Sequence, residues 1–171
     1  MALDVGAHVL GQTREPLVLE SAADNREVAI ALCGQARRTL DLSSRHLDPL
    51  VYDTLEFVAA AKAFALRSRF SRLRIIVMDP ATPVARGHRL IALAQALSSF
   101  VELRVPGHDY RDFNEAMLIA DDQGYIHRPL ADRYEGTADF HEPTGAGELR
   151  RRFDRVWDAG EPDPNFRRLS L

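Results

Sequence analysis

The sequence lacks several features that would assign a protein class at once. It has one cysteine, Cys33, so no disulfide can form within the chain. It has no apolar run of about 18 residues and no basic segment followed by an apolar one at its start, so we expect a cytoplasmic protein without membrane insertion. Its formal net charge of -3 argues against a generally basic nucleic-acid binder.

The composition is that of one globular domain. The chain has 171 residues, of which 46% are hydrophobic and 27% are charged, and this is enough for one buried core. No internal repeat, low-complexity tract or domain boundary stands out. We therefore expect residues 1–171 to form a single domain with its core at about 24–160, and Cys33 to be a buried thiol within an apolar helical pattern.

Hydrophobic periodicity predicts alternating helices and strands. Short apolar runs predict strands at LDLSS, Leu73 to Met78, Phe100 to Val105, Ala116 to Asp121, Tyr125 to Arg128 and, as a further candidate, Ala138 to His141. Helical spacing or capping signals predict helices over Asp24 to Thr39, Pro49 to Leu66, Thr82 to Leu97, and from Thr144 onward. Thr82 and Thr144 are expected to cap the last two helices.

The order of these elements predicts an α/β sandwich. Helical crossovers require parallel neighbours, so LDLSS, LRIIVM and VELRV should form a parallel group with helices on both faces of the sheet. The tight turn from Asp121 to Gly124 requires an antiparallel pair. The central sheet should therefore be mixed and only partly parallel.

The segment Phe113 to Arg128, FNEAMLIADDQGYIHR, resembles the catalytic strand-turn-strand of the phospholipase D superfamily with its reactive residues replaced. That superfamily carries His-x-Lys-x-x-x-x-Asp, followed seven residues later by Gly-Ser-x-Asn. Aligned on Asp121, the histidine position holds Asn114 and the lysine position holds Ala116. The Gly-Ser-x-Asn positions read Arg128, Pro129, Leu130 and Ala131.

Other segments extend this resemblance over Glu27 to Gly160. LDLSSRHLDP, LRIIVMDP and VELRVP are similar to the first three strands of such a domain, and RRFDRVWDAG is similar to its closing Phe-x-x-x-Trp helix. The segment GHRLIALAQ resembles a small set of bacterial phospholipase D-like domains, some of which are joined to a GNAT-type acetyltransferase domain. The resemblance implies a phospholipase D-like fold, with an acetyltransferase as one possible protein partner.

The replacements imply a domain without the ordinary catalysis of that superfamily. Phosphodiester cleavage on this fold uses a histidine nucleophile and a lysine that stabilises charge on the phosphoryl oxygens. Asn114 offers no nucleophile and Ala116 offers no charge. We therefore expect a non-catalytic domain that binds a protein partner or a small anionic ligand. No spacing supports three or four metal ligands, and no cofactor is expected.

Candidate anion-binding residues fall beyond the predicted carboxyl ends of the parallel strands, where ligands of open α/β sheets bind. They are Arg45, His46, Arg86, His88, Arg89 and His108. Arg128 is a further candidate because it lies close to the lost Gly-Ser-x-Asn element, with a place on the sheet surface as its simpler interpretation. A helix amino terminus near arginine and histidine suits phosphate. The simpler alternative is that Arg86 and Arg89 pair with surface carboxylates and that His88 bonds a turn.

Two alternative functions stay open. A rewired phosphodiesterase or nuclease would use His88 or His108 in place of Asn114. A nucleic-acid-binding module, which the net charge does not favour, would use the arginines of the last helix. Superfamily members with one motif pair two copies, so the resemblance also implies a homodimer with Asn114 and His127 near its two-fold axis.

Overall fold

The structure is a computed structural model that describes residues 3–166. Its strands are β1 (Leu17–Leu19), β2 (Thr39–Ser44), β3 (Arg72–Val77), β4 (Val101–Arg104), β5 (Ala116–Ala120), β6 (Gly124–Arg128) and β7 (Gly136–Asp139). Its α-helices are α1 (Ala22–Gln35), α2 (Pro49–Tyr52), α3 (Leu55–Arg67), α4 (Ala81–Arg86), α5 (Arg89–Ala96) and α6 (Pro143–Ala159). Short 3-10 turns cover His108–Tyr110 and Pro164–Phe166. No helix in this part of the chain is long and apolar enough to cross a membrane.

The strands form one mixed sheet in the order β1-β7-β6-β5-β2-β3-β4. β2, β3 and β4 are parallel neighbours, whereas the remaining strand pairs are antiparallel. This confirms the predicted parallel group and the hairpin between β5 and β6. Helical crossovers join the parallel strands, and a three-residue turn, Asp121 to Gln123, joins the hairpin, with positive φ at Asp121 and Asp122.

Alternation along the strands creates two cores of unequal size. Leu42, Ile75 and Leu118 face the larger core, which is covered by α1, α3 and α5. Met117 and Ile119 face a smaller core that α6 covers with its apolar stripe. The sheet therefore has helices on both faces, as the sequence predicts. Cys33 is buried in the larger core, and burial raises the pKa of its thiol to about 12.

Several helix boundaries differ from the sequence-based expectation. The second helix is broken, because Thr54 caps α3 by accepting a hydrogen bond from the Phe57 backbone N–H at 3.1 Å. The expected helix from Thr82 to Leu97 is also two helices, separated by Gly87 with φ of 79°.

Two predicted caps are wrong. The cap of α5 is His88, and α4 begins without a side-chain cap, so Thr82 caps neither helix. Glu142, rather than Thr144, caps α6 by accepting a hydrogen bond from the Gly145 backbone N–H. Pro143 follows this cap directly and suits the first helical position.

Candidate functional site

One edge of the sheet gathers three of the expected site residues. β5 runs antiparallel to both β2 and β6, so its beginning meets their carboxyl ends. Arg45 follows β2 directly, Asn114 lies just before β5, and Arg128 ends β6. The fold thus brings these residues to the edge where ligands of open α/β sheets bind.

The side chain of Asn114 is held by Arg45. Its Oδ1 accepts a hydrogen bond from Arg45 Nε at 3.1 Å and a shorter one from Nη2. Its backbone carbonyl accepts a hydrogen bond from the Ala131 N–H at 2.8 Å. The only strong acceptor of the carboxamide is therefore occupied by a cation. Asn114 connects the loops after β2 and β6 and presents no nucleophile.

Ala116 and Arg128 are direct cross-strand partners, so their side chains lie on the same side of the sheet. Arg128 is only 3% exposed. Its Nε donates to the Arg133 carbonyl at 2.6 Å, its Nη2 donates to the Ala131 carbonyl at 3.0 Å, and its Cζ lies 5.2 Å from the centre of the Tyr134 ring. Positive charge is thus present beside Ala116, on the neighbouring strand.

Arg128 has an unusual environment for a buried cation, because such groups are normally paired with an anion. No ion pair formed within residues 3–166 includes Arg128. Carbonyl oxygens and the face of Tyr134 stabilise the guanidinium instead. This edge of the sheet therefore carries positive charge that the described residues do not neutralise by an ion pair.

Asp121 lies at the opposite end of β5 from Asn114 and has a structural role. Its Oδ1 accepts hydrogen bonds from the backbone N–H groups of Arg38 at 2.7 Å and Thr39 at 3.0 Å, and its Oδ2 accepts one from Arg37 at 2.9 Å. These bonds fix the loop between α1 and β2. They also explain why α1 ends at Gln35, before the expected Thr39.

Three of the candidate anion-binding residues meet at a second place. His46, Arg86 and His88 line a cavity of about 230 Å³ together with Pro49, Thr82, Pro83 and Gly87. Arg86 is exposed, and its side chain forms no ion pair within residues 3–166. His46 Nδ1 lies 3.8 Å from Asp79 Oδ2. One free guanidinium and one half-exposed imidazole thus face a mostly apolar cavity.

Both ring nitrogens of His88 form hydrogen bonds within the fold. Its Nδ1 accepts a hydrogen bond from the Leu90 backbone N–H at 3.1 Å, so Nε2 carries the proton and donates to the Leu47 carbonyl at 2.7 Å. Burial lowers the pKa of His88, and the bond to the Leu47 carbonyl only partly offsets this. His88 is therefore a neutral helix cap with no free ring nitrogen for catalysis.

The remaining candidates lie apart from this cavity's lining. Arg89 pairs with Asp53, with Nη1 3.2 Å from Oδ1, as the simpler alternative anticipates. His108 lies in the exposed 3-10 turn after β4, where Arg111 Nη1 is 3.0 Å from its Nε2. The seven candidates are therefore spread over several locations and do not form one pocket.

A polar network that the sequence did not predict lies on the opposite face of the sheet from Ala116 and Arg128, at the same ends of the strands. Arg152 donates from Nε and Nη2 to the two carboxylate oxygens of Glu115, each at 2.8 Å, and His127 Nε2 lies 2.8 Å from Glu115 Oε2. Burial alone would raise the pKa of Glu115, but the hydrogen bonds from Arg152 and His127 lower it below its ordinary value. Beside this network is a cleft of about 180 Å³ that His127, Thr137, Glu148 and Arg152 line.

Strand alternation in the sequence could have placed two members of this network, Glu115 and His127, on the same face of the sheet. Glu115, Met117 and His127 lie on one face, because Met117 and His127 are cross-strand partners and strand residues alternate. The contribution of Arg152 depends on how α6 packs on the sheet. Within residues 3–166 no group of three or more histidine, cysteine, aspartate or glutamate side chains is placed to hold a metal ion.

Solved structures show the class of fold. Nuc from Salmonella typhimurium, a phospholipase D family member, is similar with a TM-score of 0.61 and 14% identity over 87% of this chain and 99% of its own. NucT from Helicobacter pylori is similar with a TM-score of 0.59 and 12% identity over 88% and 98%. The chain has a phospholipase D-like α/β fold, and at these identities the likeness concerns the fold alone.

The family is also shown. Residues 21–169 match the family described as "Domain of unknown function (DUF7931)", and the chain belongs to it. Comparison with curated proteins finds no match. TrmBL2, an archaeal chromatin protein described with a novel mode of DNA binding, is similar in structure with a TM-score of 0.66 and 15% identity over 92% of this chain. The chain corresponds to 56% of the length of TrmBL2.

Proposed function

We propose that this protein is a non-catalytic phospholipase D-like domain that binds a protein partner or a small anionic ligand. The proposal rests mainly on Asn114, which offers no nucleophile and whose side-chain oxygen accepts two hydrogen bonds from Arg45. In this proposal Asn114, Ala116 and Asp121 are the degenerate form of His-x-Lys-x-x-x-x-Asp. A cytoplasmic location and an acetyltransferase as protein partner belong to the same proposal.

Chemistry favours binding over cleavage at this edge. Loss of a covalent nucleophile costs several orders of magnitude in rate, and here the lysine position is also empty of charge. Positive charge remains, however, because Arg45 and Arg128 lie at the same edge. A domain that keeps cations and loses its nucleophile is suited to hold an anionic group without attacking it.

A phosphodiesterase assay tests this proposal. We expect purified protein to show no turnover of bis(p-nitrophenyl) phosphate above that of a matched Asn114→Ala variant. Turnover that survives purification and is lost on His127→Ala or His108→Ala would overturn the proposal in favour of a rewired enzyme. His88 is unsuitable for this test, because its replacement removes a helix cap.

Binding of inorganic phosphate locates the ligand. We expect phosphate to raise the melting temperature, and this shift to be reduced by Arg45→Ala if the edge near Asn114 is the site and by Arg86→Ala if the cavity near His46 is the site. Arg155, exposed on α6, provides the matched control, and Arg155→Ala should leave the shift unchanged. If phosphate gives no shift in any variant, a phosphate ligand is ruled out and the protein partner becomes the favoured proposal.

Nucleic acid is the second candidate, and a specific observation favours it. TrmBL2, whose fold is similar, is described as a chromatin protein that binds DNA. Two of the four arginines of α6 offer little support, because Arg150 pairs with Asp122 and Asp154 and Arg152 pairs with Glu115. The other two, Arg151 and Arg155, are exposed, and a surface with more exposed arginines would suit nucleic acid better.

A further inference from the structure

The sheet edge farthest from Asn114 carries five exposed arginines. They lie around the beginnings of β2 and β3, from the end of α3 onward, and are Arg37, Arg38, Arg67, Arg69 and Arg72. No ion pair within residues 3–166 includes any of them. The sequence has no acidic residue between Glu56 and Asp79. We call these arginines, together with Phe70, the basic edge.

Hydrogen bonds hold the two loops of the basic edge side by side. The guanidinium of Arg67 donates from Nη2 to the Gly34 carbonyl at 3.2 Å and from Nη1 to the Ala36 carbonyl. The Arg72 N–H donates to the Arg38 carbonyl at 3.0 Å, and Thr39 is the cross-strand partner of Arg72. The five cations therefore form one surface.

Carboxylates near the basic edge do not neutralise it. Asp121 uses both oxygens to accept the backbone N–H groups of the loop that carries Arg37 and Arg38. Asp122 is paired with Arg150. Of these two carboxylates, only that of Asp121 is not paired with an arginine, whereas the basic edge carries five guanidinium groups. This surface is positive although the whole chain has a formal charge of -3.

An exposed aromatic ring lies within the arginines. Phe70 exposes 69% of its surface, and the Arg69 Cζ lies 4.7 Å from the centre of its ring. An exposed ring among cations is the arrangement on which single-stranded bases stack while their phosphates pair with arginine. Leu66, which exposes 55% of its surface, adds apolar surface nearby on α3.

A groove of about 710 Å³ continues from the basic edge. Gln12, Gln35, Arg37 and Arg67 are among the residues that line it. A groove that mixes side-chain amides with guanidinium groups suits a polar chain that runs along it. A membrane-surface helix, in contrast, presents a continuous apolar face beside its cations.

We propose that the basic edge binds single-stranded nucleic acid, with phosphates on the exposed arginines and a base stacked on Phe70. This site is separate from the edge that carries Asn114 and Arg128. It stands or falls independently of the proposed function of that edge.

Fluorescence anisotropy with a labelled oligothymidylate of about 15 nucleotides tests the proposal. We expect a dissociation constant of roughly 1–100 µM at physiological salt, weakening as salt rises. Arg37→Glu with Arg38→Glu should weaken binding by about tenfold or more, since both side chains are exposed. The matched control is Arg151→Glu with Arg155→Glu, which makes the same charge change on exposed positions of α6 and should change binding by less than about twofold.

Two single variants separate stacking from apolar insertion. Phe70→Ala should weaken oligothymidylate binding by about fivefold to tenfold, whereas Leu66→Ala should have little effect. Absence of binding by the wild-type protein at low salt, or equal losses in the two double variants, would overturn the proposal. Binding only to phosphatidylglycerol vesicles, weakened alike by Phe70→Ala and Leu66→Ala, would also overturn it and assign the surface to anionic membranes.

Discussion

Arg152 and Glu115 face each other through two parallel hydrogen bonds of 2.8 Å, which tie the middle of α6 to the beginning of β5. His127 completes the network from β6. A bidentate arginine and carboxylate pair fixes geometry as well as charge. The network therefore positions α6 at the same edge of the sheet where Asn114 and Arg45 meet.

This network predicts a pH-dependent stability. The pKa of Glu115 is lowered in the folded protein below its ordinary value of 4.5, so its contribution to stability is present above about pH 4.5 and is lost as pH falls through the folded pKa. We expect Glu115→Gln to lower the free energy of unfolding by about 1 kcal/mol at pH 7, because the group is partly exposed. Urea denaturation at pH 7 and below pH 4 measures this difference, which should shrink at the lower pH.

His88 predicts a pH effect near neutrality. Its pKa is lowered from its ordinary value of 6.5, so the unfolded chain binds the proton more tightly and stability falls as pH drops below about 6.5. His88→Ala should cost about 1–2 kcal/mol through the lost cap and the lost bond to the Leu47 carbonyl. His88→Asn keeps a capping side chain and should recover part of the loss. His108→Ala, in an exposed turn, is the control, and an equal loss there would contradict this assignment of His88.

Asp121 is expected to matter for stability and not for a reaction. Asp121→Ala removes the acceptor of three backbone N–H groups and places alanine at a φ of 53°, so we expect a loss of about 2–3 kcal/mol. Asp121→Asn keeps a residue that tolerates positive φ and should lose less. Thermal unfolding of both variants tests the order, and equal stability of wild type and Asp121→Ala would contradict the structural role.

A symmetric dimer is the expected assembly, with Asn114 and His127 near the two-fold axis. Leu130 exposes 49% of its surface in the loop that bonds Asn114 through Ala131, so we propose it as an apolar contact for a second copy. We expect light scattering at tens of micromolar to give a dimer mass, and Leu130→Glu to give a monomer. Leu55→Glu, which changes an exposed leucine at the start of α3, should leave the dimer intact. A wild-type monomer at that concentration would rule out the stable dimer.

Much of the fold could be predicted because local signals and sheet topology agree. The run Leu73 to Met78 is apolar apart from Arg74, and most of it lies in β3, which β2 and β4 flank on both sides. The boundaries were less predictable, since they depend on distant partners. The carboxylate of Asp121, far along the chain, accepts the N–H groups that would otherwise have extended α1.

The candidate site was predictable only in part for a similar reason. The alignment on Asp121 identifies Asn114 and Ala116, but the sequence does not reveal that Arg45 holds Asn114. His88 follows a glycine and precedes an apolar helix, and this pattern fits a cap as well as an anion ligand. The difference between the two roles lies in the Leu47 carbonyl, which only the folded chain brings within 2.7 Å of the imidazole.

The pairing of β1 with β7 has a consequence for how the protein is made. Leu17 lies opposite Ala138, so the first strand of the described chain has no sheet partner until the last one exists. α6, which follows β7, supplies the helical side of the smaller core. Contacts between such distant parts of a chain close slowly. β1 must therefore wait until β7 has been synthesised before it can enter the sheet, and the smaller core stays uncovered until α6 has followed.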